Sequence, residues 1–100
     1  MKTIWKYELT PNRLQAVPIP YGGQILTVTA SQSNVPILWA LVDPEMPPQE
    51  RNLGIYTTNT ALPDEPGTYI ASFTIYEGSL EFHVFECSPT PNMQDGNGPQ

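Results

Sequence analysis

The placement of proline most constrains what this chain can fold into. Twelve prolines and seven glycines interrupt its 100 residues. A proline inside a helix removes a hydrogen bond and clashes with the preceding turn, at a cost of about 3 kcal/mol. No window of eleven or more residues carries apolar positions at i, i+3, i+4 and i+7 without a proline breaking it. The pieces between breaks are short, and short pieces suit strands.

Reading them with a period of two gives about six strands. "TIWKYEL" (residues 3–9) sets Trp5, Tyr7 and Leu9 on one face and Ile4, Lys6 and Glu8 on the other. "TPNR" follows as a turn, and "VPIPYGG" (residues 17–23) reads as an irregular approach or an edge segment. "QILTVTAS" alternates, with Leu26, Val28 and Ala30 expected inward. "ILWALV" (residues 37–42) is apolar at every position, as expected of a central strand covered on both sides. Residues 43–50, "DPEMPPQE", form an acidic proline loop before the strand that begins "NLGIYTTNT". "TYIASFTIY" and "SLEFHVFE" are the clearest strands, joined at "EG" by a glycine hairpin. The expected fold is all-β, a small antiparallel β-sandwich or barrel over residues 1–87. Residues 88–100 lack apolar pattern and are expected to be a disordered tail.

The chain is sized for one domain, and a domain this small has a modest core. Its apolar share is 39%, but that includes two tryptophans, five tyrosines and three phenylalanines. Ten acids against four Lys and Arg give a net charge of −6, too few cations for the basic stripe that long nucleic acid requires. A small anionic ligand needs only one or two well-placed cations with backbone N–H groups. The single cysteine, Cys87, cannot close an intrachain disulfide, which fits a reducing compartment. "MKTIWKYEL" has charges where a signal peptide has its apolar core, and no run reaches the ~20 apolar residues of a membrane span. A cytoplasmic protein with no membrane partner is expected.

The strings "IWKYEL", "LWALVDP", "YIASF" and "FHVFE", in this order, resemble a family of short proteins encoded by bacteriophages and their bacterial hosts. That family is known only as a domain of unknown function, and the likeness spans about residues 1 to 86. It implies a compact β-rich fold, a phage origin and a setting in the cytoplasm of an infected bacterium. It also suggests kinship with phage anti-defence proteins that act as nucleotide sponges. In the family the stretch matching "YTTNTALP" (residues 56–63) often carries glycines and a histidine. Thr57, Asn59 and Thr60 stand there in this chain, so chemistry resting on that histidine is not expected.

The residues themselves argue against catalysis. His83 and Cys87 are too few for a structural zinc site, and four residues apart on a strand they lie about 13 Å from each other. His83 is the only histidine, and it reads as a half-exposed or hydrogen-bonded sheet residue. Glu81 and Glu86 are expected to face solvent, so no buried carboxylate pair is available. Phosphate loops and dinucleotide fingerprints are missing. No metal or cofactor is expected.

Binding is the remaining class. Tyr56 with Thr57 and Thr58 offers a ring and hydroxyls, and Arg51 offers a planar cation just before them, although pairing with the acidic loop is its commoner fate. Lys6 between Trp5 and Tyr7 is a second cluster. Trp39 is favoured as a core or subunit-interface residue over a stacking platform. These residues, Lys6, Trp39, Arg51, Tyr56, Thr57 and Thr58, make up the candidate ligand site. The expected function is sequestration of a host immune nucleotide signal, of the cyclic-dinucleotide type, by a non-enzymatic homo-oligomer. The alternatives are an inhibitor that binds a host protein and a structural or accessory phage component.

Overall fold

A computed structural model describes residues 1–11 and 13–87, and these residues form seven antiparallel strands and no helix. They are β1 Thr3–Glu8, β2 Leu14–Pro20, β3 Gln24–Ala30, β4 Pro36–Val42, β5 Pro48–Thr57, β6 Thr68–Ile75 and β7 Leu80–Glu86. One sheet has the order β1-β4-β3 and the other β2-β5-β7-β6. The expected tail, residues 88–100, lies outside the described residues, as does Asn12 of the "TPNR" turn.

The core is built from the inward rows of β2 to β7. Leu38, Ala40 and Val42 of β4 and Val28 of β3 meet Leu53 and Ile55 of β5, Val84 and Phe82 of β7, Phe73 and Ile75 of β6 and Ile19 of β2, all buried. Burying each of the larger aliphatic side chains contributes roughly 1.5–3 kcal/mol. Phe73 and Phe82 stack across β6 and β7 with ring centroids 5.2 Å apart.

The seventh strand comes from the proline-rich stretch that reads as an irregular approach or an edge segment, and it is the edge segment. Residues 14–20 pair with β5 from Leu14↔Gly54 to Pro20↔Pro48. Pro18 and Pro20 are tolerated because β2 is an edge strand bonded only to β5, while Val17 and Ile19 still point into the core. The acidic loop is correspondingly shorter than expected, since β5 already starts at Pro48.

Two bulges re-aim side chains. In β3 the register steps from Ile25↔Ala40 to Thr27↔Trp39, leaving Leu26 as the extra residue. Ile25 therefore turns toward the core, and Leu26, expected inward, is 41% exposed. In β6 Ile70 is the extra residue between Tyr69 and Ala71. The β6–β7 hairpin closes at Ile75↔Leu80, so its loop has four residues and not the two of a tight "EG" turn. Tyr76 and Glu77 take the left-handed conformation as well as Gly78, with φ of 52°, 56° and 88°. The Asn34 side chain accepts from the Tyr76 N–H at 2.8 Å and ties this loop to the other sheet.

β4 is central to its sheet, as its apolar sequence suggests, yet no layer of the described chain covers its outer row. Ile37, Trp39 and Leu41 are only half-buried. Trp39 therefore lies outside the core, which corrects the core half of the core-or-interface reading. Among the described residues no helix is long and apolar enough to cross a membrane.

Candidate functional site

The candidate residues fall on three separate surfaces. The first is the outer face of the three-stranded sheet. Register places Glu8, Lys6 and Ile4 of β1 beside Ile37, Trp39 and Leu41 of β4. On the other flank Thr29, Thr27 and Gln24 of β3 stand beside the same three residues. The Trp39 indole N–H donates to the Thr29 hydroxyl at 2.9 Å, which fixes the ring along the sheet. The Lys6 ammonium sits 5.8 Å from the ring centroid. A cation over an indole at an exposed site contributes about 0.5–1 kcal/mol. The result is an apolar strip with Trp39 at its centre, Ile4 and Leu26 exposed beside it, and one cation and two hydroxyls within reach.

The second surface is the outer face of the four-stranded sheet. Gly54 faces Phe85 and Tyr56 faces His83 across β5 and β7. The Tyr56 ring folds back over Gly54, where an added Cβ would meet its hydroxyl at 2.7 Å. Phe85 packs edge-on against both Tyr56 and Tyr69, at centroid distances of 6.2 and 5.3 Å, and Tyr69 lies beside His83. Burial pushes the Tyr56 phenol above its ordinary pKa. Thr58 lies next to this cluster, its hydroxyl 2.8 Å from His83 Nε2 and 3.0 Å from a Glu81 carboxylate oxygen. Thr57 pairs with inward-facing Phe82 and is half-buried on the opposite side, so it does not join Tyr56 and Thr58. Tyr69 and Phe85 were not among the sequence candidates. Strand alternation of "FHVFE" already set Phe85 beside His83, and that was the available signal.

Arg51 belongs to neither face. It shares the inward row of β5 with Leu53 and reaches the end of the sandwich, where Nε and Nη2 both donate to the Glu86 carboxylate, the latter at 3.0 Å. Nη1 donates to the Gly23 carbonyl at 2.8 Å. The fork thus joins β5, β7 and the start of β3, and bonding to Glu86 raises the arginine pKa still further. The partner is Glu86, 35 residues away, and not the neighbouring acidic loop. Glu86 shares the inward row of β7 with Phe82 and Val84, so its expected solvent-facing position is corrected. The adjoining hollow, lined by Gln49, Glu50, Asn52 and Cys87, holds about 120 Å³. Small-molecule sites usually enclose about 300–1,000 Å³. Burial and then the nearby Glu86 charge push the Cys87 thiol above its ordinary pKa.

Comparison with known protein families gives a match over most of the chain. The model of a domain of unknown function, DUF7352, covers residues 1–94. The chain belongs to this family. No curated protein and no solved structure matches it.

The match brings the DUF7352 chain no assigned chemistry, so its capacity must be argued from its groups. Thr58, His83 and Glu81 contain the residue types of a nucleophile, a base and a carboxylate. In a catalytic triad the acid orients the imidazole, which in turn activates the hydroxyl. Here Glu81 and His83 both address the hydroxyl itself, on an exposed surface. The two side chains thus hold the Thr58 hydroxyl directly, without the relay order of acid, imidazole and hydroxyl. Among the described residues no three His, Cys, Asp or Glu side chains gather closely enough to hold a metal ion.

Proposed function

We propose that this DUF7352 protein is a non-enzymatic binding module that captures a planar anionic ligand of the nucleotide class. The observation that carries the reading is Trp39. A half-exposed indole, held in place by Thr29 and overlain by Lys6, offers a stacking face beside a single cation and the Thr27 hydroxyl. A base stacked on an aromatic side chain gains roughly 1–3 kcal/mol, and the lysine would meet a phosphate once drawn off the ring. The natural ligand we propose is an immune signal of the cyclic-dinucleotide type, held intact in the cytoplasm of an infected bacterium, a choice supported by the resemblance to phage-encoded sequences. Tyr56 and Thr58 form a second aromatic surface, which Arg51 does not serve because it is engaged by Glu86.

The test is a thermal shift against cyclic dinucleotides, cyclic mononucleotides and ADP-ribose-type nucleotides, read together with quenching of tryptophan fluorescence. A ligand at a thousandfold excess over its dissociation constant stabilises the folded state by about 4 kcal/mol. The reading expects a shift with one class, lost in Trp39→Leu and weakened in Lys6→Met, with the ligand recovered unchanged after heating. Absence of any shift or quenching across the panel would reject it.

A protein partner is the second reading. It is favoured by a hollow of about 380 Å³ beside Gln32, Asn34, Tyr76 and Glu77, which lies open to solvent. Capture of a defined host protein, diminished by Trp39→Leu, would support this reading over the first.

A further inference from the structure

We infer that β1 is an assembly edge, and that it pairs antiparallel with β1 of a second copy of this chain to make one continuous six-stranded sheet. This inference needs no ligand and stands apart from the nucleotide reading.

A sandwich with two open sheets has four edge strands, and each exposes a row of unpaired N–H and C=O groups. Three of these edges carry the features that normally block pairing. β2 has Pro18 and Pro20. β3 and β6 are bulged at Leu26 and Ile70, and they also run against each other along one side of the sandwich. β1 is short and carries Lys6, but that charge is balanced by Glu8 two residues on, and with neither proline nor bulge it keeps an unbroken register with β4 from Thr3↔Val42 to Glu8↔Ile37. It also overhangs: five of its six residues are exposed on both faces, with Trp5 at 41% and Ile4 at 55%. A strand carrying two such apolar side chains beyond the cover of its own core is an unfinished surface.

The free backbone groups can be assigned. The Leu9 N–H donates to the Pro36 carbonyl at 2.9 Å, so the odd-numbered residues of β1 direct their N–H and C=O groups toward β4. Those of Ile4, Lys6 and Glu8 therefore point to the open edge. Pairing about a two-fold axis must keep each sheet face continuous, so even-numbered residues have to meet even-numbered residues, and these are the ones with groups to spare. Side-chain charge then selects the register. Placing Lys6 opposite Lys6 of the second copy sets like charges together, which is unfavourable across strands. Placing Lys6 opposite Glu8 forms two opposite-charge pairs and four backbone hydrogen bonds, with Tyr7 on the axis and Trp5 facing Leu9 of the other copy. Each Trp39 strip then belongs to one shared face.

Sedimentation equilibrium of the full chain tests this, with circular dichroism to confirm that each variant folds. The wild type is expected to be a dimer at micromolar concentration. Glu8→Lys should weaken dimerisation by about tenfold or more by opposing two lysines, and the swap Lys6→Glu with Glu8→Lys should restore it. Glu8→Pro removes an N–H that only the second copy would use, so it should give a folded monomer. A wild type that stays monomeric at about 100 μM overturns the inference, given that specific pairs are commonly tighter. A dimer unmoved by Glu8→Lys overturns it as well, because the contact must then lie elsewhere.

Discussion

Replacing Arg51 with methionine separates a structural arginine from a ligand-binding one. The side chain makes two hydrogen bonds to Glu86 and one to the Gly23 carbonyl, and the paired side chains are 19% and 26% exposed. Fully buried ion pairs cost about 3–5 kcal/mol when one partner is removed, whereas exposed pairs contribute about 0.2–1. This pair is partly wet but bidentate, and it leaves behind a carboxylate and a carbonyl near the end of the core. Discounting for solvent, Arg51→Met should cost about 2 kcal/mol. For a domain of this size that lowers the melting temperature by about 10 °C. Thermal unfolding followed by circular dichroism gives the shift, and a cycle with Glu86→Gln should show that the two losses are not additive. A drop of less than about 2 °C for Arg51→Met would refute the reasoning. The guanidinium would then be spare, and an anion site beside Asn52 and Cys87 would return as its explanation.

Three further predictions follow from local geometry. The Tyr7 hydroxyl is buried without a hydrogen-bond partner among the described residues, so Tyr7→Phe should stabilise the fold by about 1 kcal/mol in urea unfolding. Burial raises the Tyr7 pKa, so its contribution is intact below the unfolded value of about 10 and is lost as pH rises through the folded value; the phenylalanine variant should lose less stability there. Gly67 has φ of +111°, and a Cβ there would lie 2.1 Å from the Glu86 carbonyl oxygen, so Gly67→Ala should cost about 3 kcal/mol or more; a change below about 1 kcal/mol in the same assay would contradict the close approach of backbone at the start of β6. Glu77→Gly replaces a left-handed residue that carries a strain of about 1–2 kcal/mol, and after the entropy of glycine it should raise the melting temperature by a few degrees, about 2–4 °C.

How much of this was legible in the sequence depends on which face of a strand is asked about. The inward rows follow from alternation: Trp5 and Tyr7 against Lys6, and Phe82 and Val84 against His83 and Phe85, are placed as the period of two dictates. The β3 exception has a local cause, since one extra residue at Leu26 inverts the row before it and a single chain carries no marker for the bulge. β2 was obscured by its prolines, which rule out a central strand but permit an edge, and edge status depends on sheet order. Arg51 shows the same limit at longer range. Its acidic neighbours in sequence are on the loop, but the end of β7 brings Glu86 beside it, and no local pattern encodes that meeting.

The outer faces are where the sequence says least and function has most room. "ILWALV" is apolar on both rows, and a buried central strand and a strand with one apolar face left open give the same string. The two-sheet architecture decides between them: four strands lie beneath β4, none lies above it among the described residues, and the outer row is left with Trp39 as its largest member. A chain that leaves this strip and the strand beside it open gains little in monomer stability beyond the local contacts of Trp39 with Lys6 and Thr29. Both are accounted for if the surface is completed by something else. The ligand panel and the Glu8 variants probe the strip and its neighbouring edge separately, so one can fail without taking the other with it.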